Sequence, residues 1–152
     1  MTTFSVGSTV RFRSDAEIEA IGTGLINQTL PKERWTHNAH LAAAVWISAA
    51  RPDLIPSRDM PGIIRAYNES TGVPNSDTRG YHETITQASL QAVQAFLVKL
   101  ATDTPLYIAC NALLDSRYGG KNWLLEYWTH ALLFSPAARR SWIEPDLAPL
   151  PF

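Results

Sequence analysis

The stretch "TRGYHETITQASLQAVQAFLVKL", Thr78 to Leu100, decides how the chain is read. Leu90, Val93, Leu97 and Leu100 are spaced three, four and three apart, the pattern of one apolar face on a helix. Carried backwards, the same steps reach Thr86 and Glu83, with His82 one position round the axis. A core face therefore opens on polar groups. The expected helix is capped by Ser76 or Asp77 and reaches Ala101 or Thr102. A carboxylate and an imidazole turned inward need partners, because burying an unpaired polar group is costly. A polar pocket at the start of this helix is the expectation.

The rest of the chain reads as helices too. Ser14 or Asp15 caps a helix through "AEIEAIGTGLINQTL", after a short extended piece at Thr9 to Phe12. Pro31 opens "PKERWTHNAHLAAAVWISAA", expected as one helix to about Ala50. Ser57 caps "SRDMPGIIRAYNES", which closes near Gly72, and "VPNSD" is a turn. Pro105 starts "PLYIACNALLDSRY", and Gly119 and Gly120 break the chain. Asn122 caps "WLLEYWTHALLF", apolar nearly all round and so expected to be buried. Ser135 with Pro136 starts a last helix, and "IEPDLAPLPF" is an extended Pro-rich tail. The expected fold is all-α, one compact domain over residues 1–152 with six or seven helices.

Composition excludes several classes. The chain has 152 residues, 13 basic and 14 acidic, a net charge of −1, which provides no footprint for nucleic acid or anionic lipid. Charged residues are 18% of the chain, and five Trp, five Tyr and five Phe add large apolar surfaces, so an interface with a second copy is expected to cover part of them. Cys110 is the single cysteine; it can form no internal disulfide, and its apolar helix makes it an inert core thiol. No run approaches the roughly 18 apolar residues of a membrane span. Met1 to Asp15 lacks the apolar core of a signal peptide, which makes the cytoplasm the expected location.

Four histidines lie in helical segments. His37 and His40 are three apart and share a helix face; His82 adjoins Glu83; His130 follows Glu126 by four. Imidazoles and carboxylates from several helices are how bundles bind divalent transition metals. His37, His40 and His82 are the candidate ligands, and Glu83 with His82 the candidate catalytic pair, Glu83 as base. Tyr81, Asn75, Arg79 and Trp35 are the candidate small-molecule contacts. Each has an ordinary alternative. His37 and His40 serve equally as a solvated first-turn residue and a histidine bonded to a carbonyl, Glu83 as an acid complementing the helix dipole, and Asn75 as a turn residue. Glu126 with His130 also reads as a plain helical pair.

The blocks "WTHNAHL", "AYNESTGVPNSDTRGYHETIT" and "LLFSPAARRSWIEPDLAPLP" resemble a group of small bacterial helical proteins to which no activity is attached, over about Trp35 to Pro151. More loosely, the chain is similar to the DinB/YfiT-like metal-binding helical proteins. That resemblance implies a metal held by three histidines of a four-helix bundle. Their late-helix histidine pair has its nearest counterpart here in Glu126 with His130.

Two functional expectations follow. One is a metal-dependent, hydrolase-like enzyme of a small molecule, with His40 and His82 brought together in one pocket. The other is a non-catalytic binding or interaction module whose histidines are structural.

Overall fold

The computed structural model describes residues 11–152, and among them the secondary structure is helical throughout, with no strand. Seven α-helices follow in order: α1 (Asp15–Ile26), α2 (His37–Ala50), α3 (Pro56–Ser70), α4 (Glu83–Leu97), α5 (Leu106–Asp115), α6 (His130–Leu133) and α7 (Pro136–Arg140). Two short 3₁₀ turns, Lys32–Arg34 and Asn122–Glu126, lie between them.

Local chemistry explains most of the starts. Ser14 accepts the Glu17 backbone N–H at 3.3 Å, and Glu17 reaches back to the Arg13 N–H at 2.5 Å, a reciprocal cap on α1. Thr36 and Ser135 cap α2 and α7 one way, their hydroxyls accepting the Ala39 and Ala138 N–H groups. Helix α2 runs through the middle of the fold, with an unbroken buried run from Leu41 to Ile47. Its alanines let α1 come close, and at Gly22 the Trp46 ring occupies the space a Cβ would need.

The core has two parts. The larger gathers around α2 and takes Ile18, Ile21 and Leu25 from α1, Ile64 and Tyr67 from α3, Leu90 and Val93 from α4, and Cys110 and Leu113 from α5. The smaller joins Ala88 and Ala92 of α4 to Trp123, Leu124, Trp128 and Leu133. Helix α4 thus serves two cores on two of its faces. Cys110 is fully buried in the larger one, and burial pushes its thiol pKa up to about 12.

Several boundaries differ from the sequence expectation, each for a local reason. Helix α4 starts at Glu83, capped by His82, and neither Ser76 nor Asp77 caps it. Segment 71–82 is a loop turned by Gly72 and Gly80, both at φ +82°. Helix α1 stops at Ile26, where Gln28 at φ +61° folds Leu30 back over Gly24. The segment from Pro31 is a 3₁₀ turn and then α2, because Thr36 turns extended to cap the second piece. Helix α3 starts at Pro56, ahead of Ser57, with no side-chain cap. The expected helix from Asn122 to Phe134 is split into a 3₁₀ turn and the four-residue α6, where Thr129 leaves helical geometry to cap α6. Of the extended piece at Thr9 to Phe12, Thr9 and Val10 lie outside the described residues, and Arg11 and Phe12 are in no strand.

The Gly22 contact yields a direct prediction. Gly22→Ala forces its new methyl into the Trp46 ring. Chemical denaturation should show a loss of about 1–3 kcal/mol, the usual cost of overpacking a core, despite alanine's higher helix propensity. A stabilised variant would contradict the close packing of α1 on α2.

Candidate functional site

The first turn of α4 holds the polar residues singled out in the sequence. His82 is 8% exposed and both its ring nitrogens are engaged. Its Nδ1 accepts the Ile85 backbone N–H at 3.1 Å, which caps the helix. Its Nε2 lies 2.8 Å from the Leu133 carbonyl, so Nε2 carries the proton and donates it there. The tautomer is fixed by these two bonds, one to its own helix and one 51 positions down the chain. Burial lowers the His82 pKa; the Leu133 carbonyl opposes that shift, and the nearby Arg139 charge adds to it.

Thr84, fully buried, makes the next link. Its hydroxyl donates to the Ser141 carbonyl at 2.9 Å and accepts from the Ile143 N–H at 3.1 Å. Arg139 completes the set by donating to the Gly80 carbonyl at 2.8 Å. Three consecutive stations, Gly80, His82 and Thr84, therefore bind the chain between Leu133 and Ile143. The inward polar residues of "GYHETIT" form a clasp between α4 and the C-terminal segment.

Asn75 organises the loop that leads into the clasp. Its Oδ1 accepts from the Tyr81 N–H and from Asn68 Nδ2, each at 3.0 Å, and its Nδ2 donates to the Arg65 carbonyl at 3.1 Å. Gly80 passes so near that a Cβ there would meet Pro74 O and Asn75 Oδ1. Tyr81 is buried, with the Arg65 guanidinium 4.6 Å above its ring. Its hydroxyl donates to Glu83 Oε1 at 2.5 Å, and burial, then this bond, raise its pKa. The other Glu83 oxygen is 3.4 Å from Gln87 Nε2, which also holds the Ser57 carbonyl at 2.9 Å.

The remaining candidates lie elsewhere. His40 stacks on Trp35 with ring centroids 3.6 Å apart, and its Nδ1 donates to the Thr36 carbonyl at 2.7 Å. Desolvation of the ring pushes its pKa down to about 4, and the bond to the Thr36 carbonyl opposes that shift. His37 Nε2 donates to the Gly119 carbonyl at 2.8 Å. Arg79 is exposed and makes no side-chain hydrogen bond or ion pair among the described residues.

The structure does not join His37, His40 and His82 into one coordination set. Among the described residues no group of three or more His, Cys, Asp or Glu side chains is placed to hold a metal ion. His40 has Trp35 and Thr36 as neighbours, whereas His82 has Leu133 and Phe134, and no ring contact links the two histidines. His82 also has no lone pair to give, since its unprotonated nitrogen already accepts the cap bond. The residues present thus do not fit the three-histidine metal site implied by the looser resemblance. The helical pairing of Glu126 with His130 is absent too: Glu126 pairs with Arg117 at 2.7 Å, and His130 lies against Phe134 with centroids 4.5 Å apart.

Sequence reasoning missed Thr84 and Arg139. Thr84 lies off the Leu90–Val93 stripe, and its signal was the second buried face of α4, visible in Ala88 and Ala92 at steps of four. No protein-family model matches the chain, and neither a curated protein nor a solved structure matches it.

His82 gives the site its test. His82→Ala removes both bonds and should cost roughly 1–3 kcal/mol in denaturant unfolding, while His82→Asn keeps a good cap and should cost less. The sign of the pH effect is set by the lowered native pKa. The histidine's contribution is complete above about pH 6.5, its unfolded value, and is lost as pH falls through the lower native value. The stability gap between wild type and His82→Asn should therefore narrow on acidification. A gap constant with pH would contradict the neutral, doubly bonded imidazole.

Proposed function

We propose that the protein is a non-catalytic ligand-binding or protein-interaction module whose histidines are structural. The observation that carries this reading is the double engagement of His82 with backbone groups of its own chain. A catalytic base needs a lone pair open to substrate, and His82 has none. Glu83 spends its oxygens on Tyr81 and Gln87, and the Tyr81 phenol, its pKa raised, is a poor acid. The polar cluster reads as fold chemistry.

Surface features support binding as the role. Ile55, Val98, Ile108, Phe134, Leu147 and Phe152 are large apolar side chains open to solvent. A small molecule and a second copy of the chain are the partners this reading admits. With a net charge of −1, nucleic acid is not among them. No helix among the described residues is long and apolar enough to cross a membrane.

Metal analysis of protein purified without a histidine tag tests the reading. No stoichiometric transition ion should be present. His40→Ala gives up its stack on Trp35 and its ring's bond to the Thr36 carbonyl, which keeps the His40 backbone N–H, and should cost about 1–2 kcal/mol. A stoichiometric ion lost in both His40→Ala and His82→Ala would overturn the proposal and restore a metal enzyme.

A further inference from the structure

An open surface groove of about 650 Å³ lies between the C-terminal tail and α4, and the clasp does not use it. Gln91 of α4 lines one side, and Trp142, Glu144, Asp146, Leu147 and Phe152 are among the residues lining the rest. Its volume falls in the range of roughly 300–1,000 Å³ typical of small-molecule sites. Two carboxylates line it, and no lysine, arginine or histidine does.

Those carboxylates are held in position. Glu144 Oε2 accepts the Trp142 indole N–H at 2.7 Å, and among the described residues Glu144 has no basic partner. Trp142 is itself fixed edge-on against the buried Trp128 at 5.7 Å. Asp146 accepts the Thr129 N–H and hydroxyl, both at 2.8 Å, and these bonds hold its carboxyl below the usual carboxylate range. Asp146 is thus anionic at neutral pH. The donors to both carboxylates are neutral, and neither acid forms an ion pair among the described residues. Carboxylates attract cations through their charge, so the polar lining selects one sign.

We propose that this tail groove binds a small organic ammonium ion, with the cationic head at Glu144 and Trp142 and the apolar body along Leu147, Leu150 and Phe152. The proposal rests on the reading of the chain as a binding module and names its ligand class. Charge complementarity decides the class: an anion of the same shape meets two like charges, and a neutral analogue forfeits the attraction. The Trp142–Glu144 bond holds the carboxylate at the indole edge, which leaves Glu144 Oε1 for the ammonium N–H.

The test uses 4-phenylbutylamine as probe, with 4-phenylbutanol and 4-phenylbutyrate as neutral and anionic matches. Titration calorimetry on the full chain should show saturable binding of the amine, weaker binding of the alcohol and none of the acid. Glu144→Gln should weaken the amine about tenfold, the equivalent of 1.4 kcal/mol, and leave the alcohol unchanged. Glu144 is exposed, so the variant should fold, which circular dichroism checks. Trp142→Phe should weaken the amine as well and serves as a second variant. No saturable amine binding up to about 1 mM would overturn the proposal, since that bound corresponds to only 4.1 kcal/mol. Equal binding of amine and alcohol, unaffected by Glu144→Gln, would overturn it too. Failure on these counts leaves the module reading standing, whereas a stoichiometric metal ion would defeat that reading independently of the titration.

Discussion

The histidine at the head of α4 is the constraint on which the fold's two halves depend. A neutral imidazole offers one donor and one acceptor on opposite sides of a rigid ring. His82 spends the acceptor on starting its helix and the donor on Leu133. No aliphatic side chain could do both, and a serine or asparagine cap would be too short to span the gap to the C-terminal segment. Thr84 repeats the device two residues later with a hydroxyl that donates to one residue and accepts from another. Residues 130–143 supply two short helices of four and five residues, far below the length at which a helix holds itself. They persist because α4 gives their exposed carbonyls and amides partners and gives Leu133 and Trp128 an apolar wall.

The loop before the clasp shares this logic. Gly80 must take a left-handed conformation and lie against the backbone of Pro74 and the side chain of Asn75. Asn75 bonds Tyr81 from the inside and Arg139 bonds Gly80 from the outside. The chain is thereby delivered to His82 at a fixed angle, and Tyr81 packs into the larger core. Polar residues are concentrated here because two apolar clusters meet along one helix, and the backbone at their junction needs hydrogen bonds that no regular ladder supplies.

The all-helical fold was legible from periodicity and caps. Leu90 and Val93 announced one buried face of α4, and Ser14, one of two candidate caps, announced α1. Inward placement of His82 was legible as well. Its role as a cap was not, because histidine is not among the usual capping residues and Ser76 and Asp77 offered a conventional alternative. The meeting of His40 with His82 was inferred from two polar faces needing partners. Each found a backbone carbonyl instead, Thr36 for one and Leu133 for the other. Sequence spacing shows which side chains share a helix face; it does not show which distant carbonyl lacks a donor. The break at Thr129 was hidden for the same reason, since Asp146, which binds the Thr129 N–H and hydroxyl, lies 17 positions away.

Amide hydrogen exchange on Thr84→Val tests the clasp most directly. Valine keeps the shape of the side chain and removes the hydroxyl, leaving the Ser141 carbonyl and the Ile143 N–H without partners. Ile143 and the neighbouring amides through α6 and α7 should exchange faster, while amides of α1, α2 and α3 keep their wild-type protection. Unchanged protection across 130–143, or a uniform loss over the whole chain, would contradict a C-terminal segment held in place by the first turn of α4.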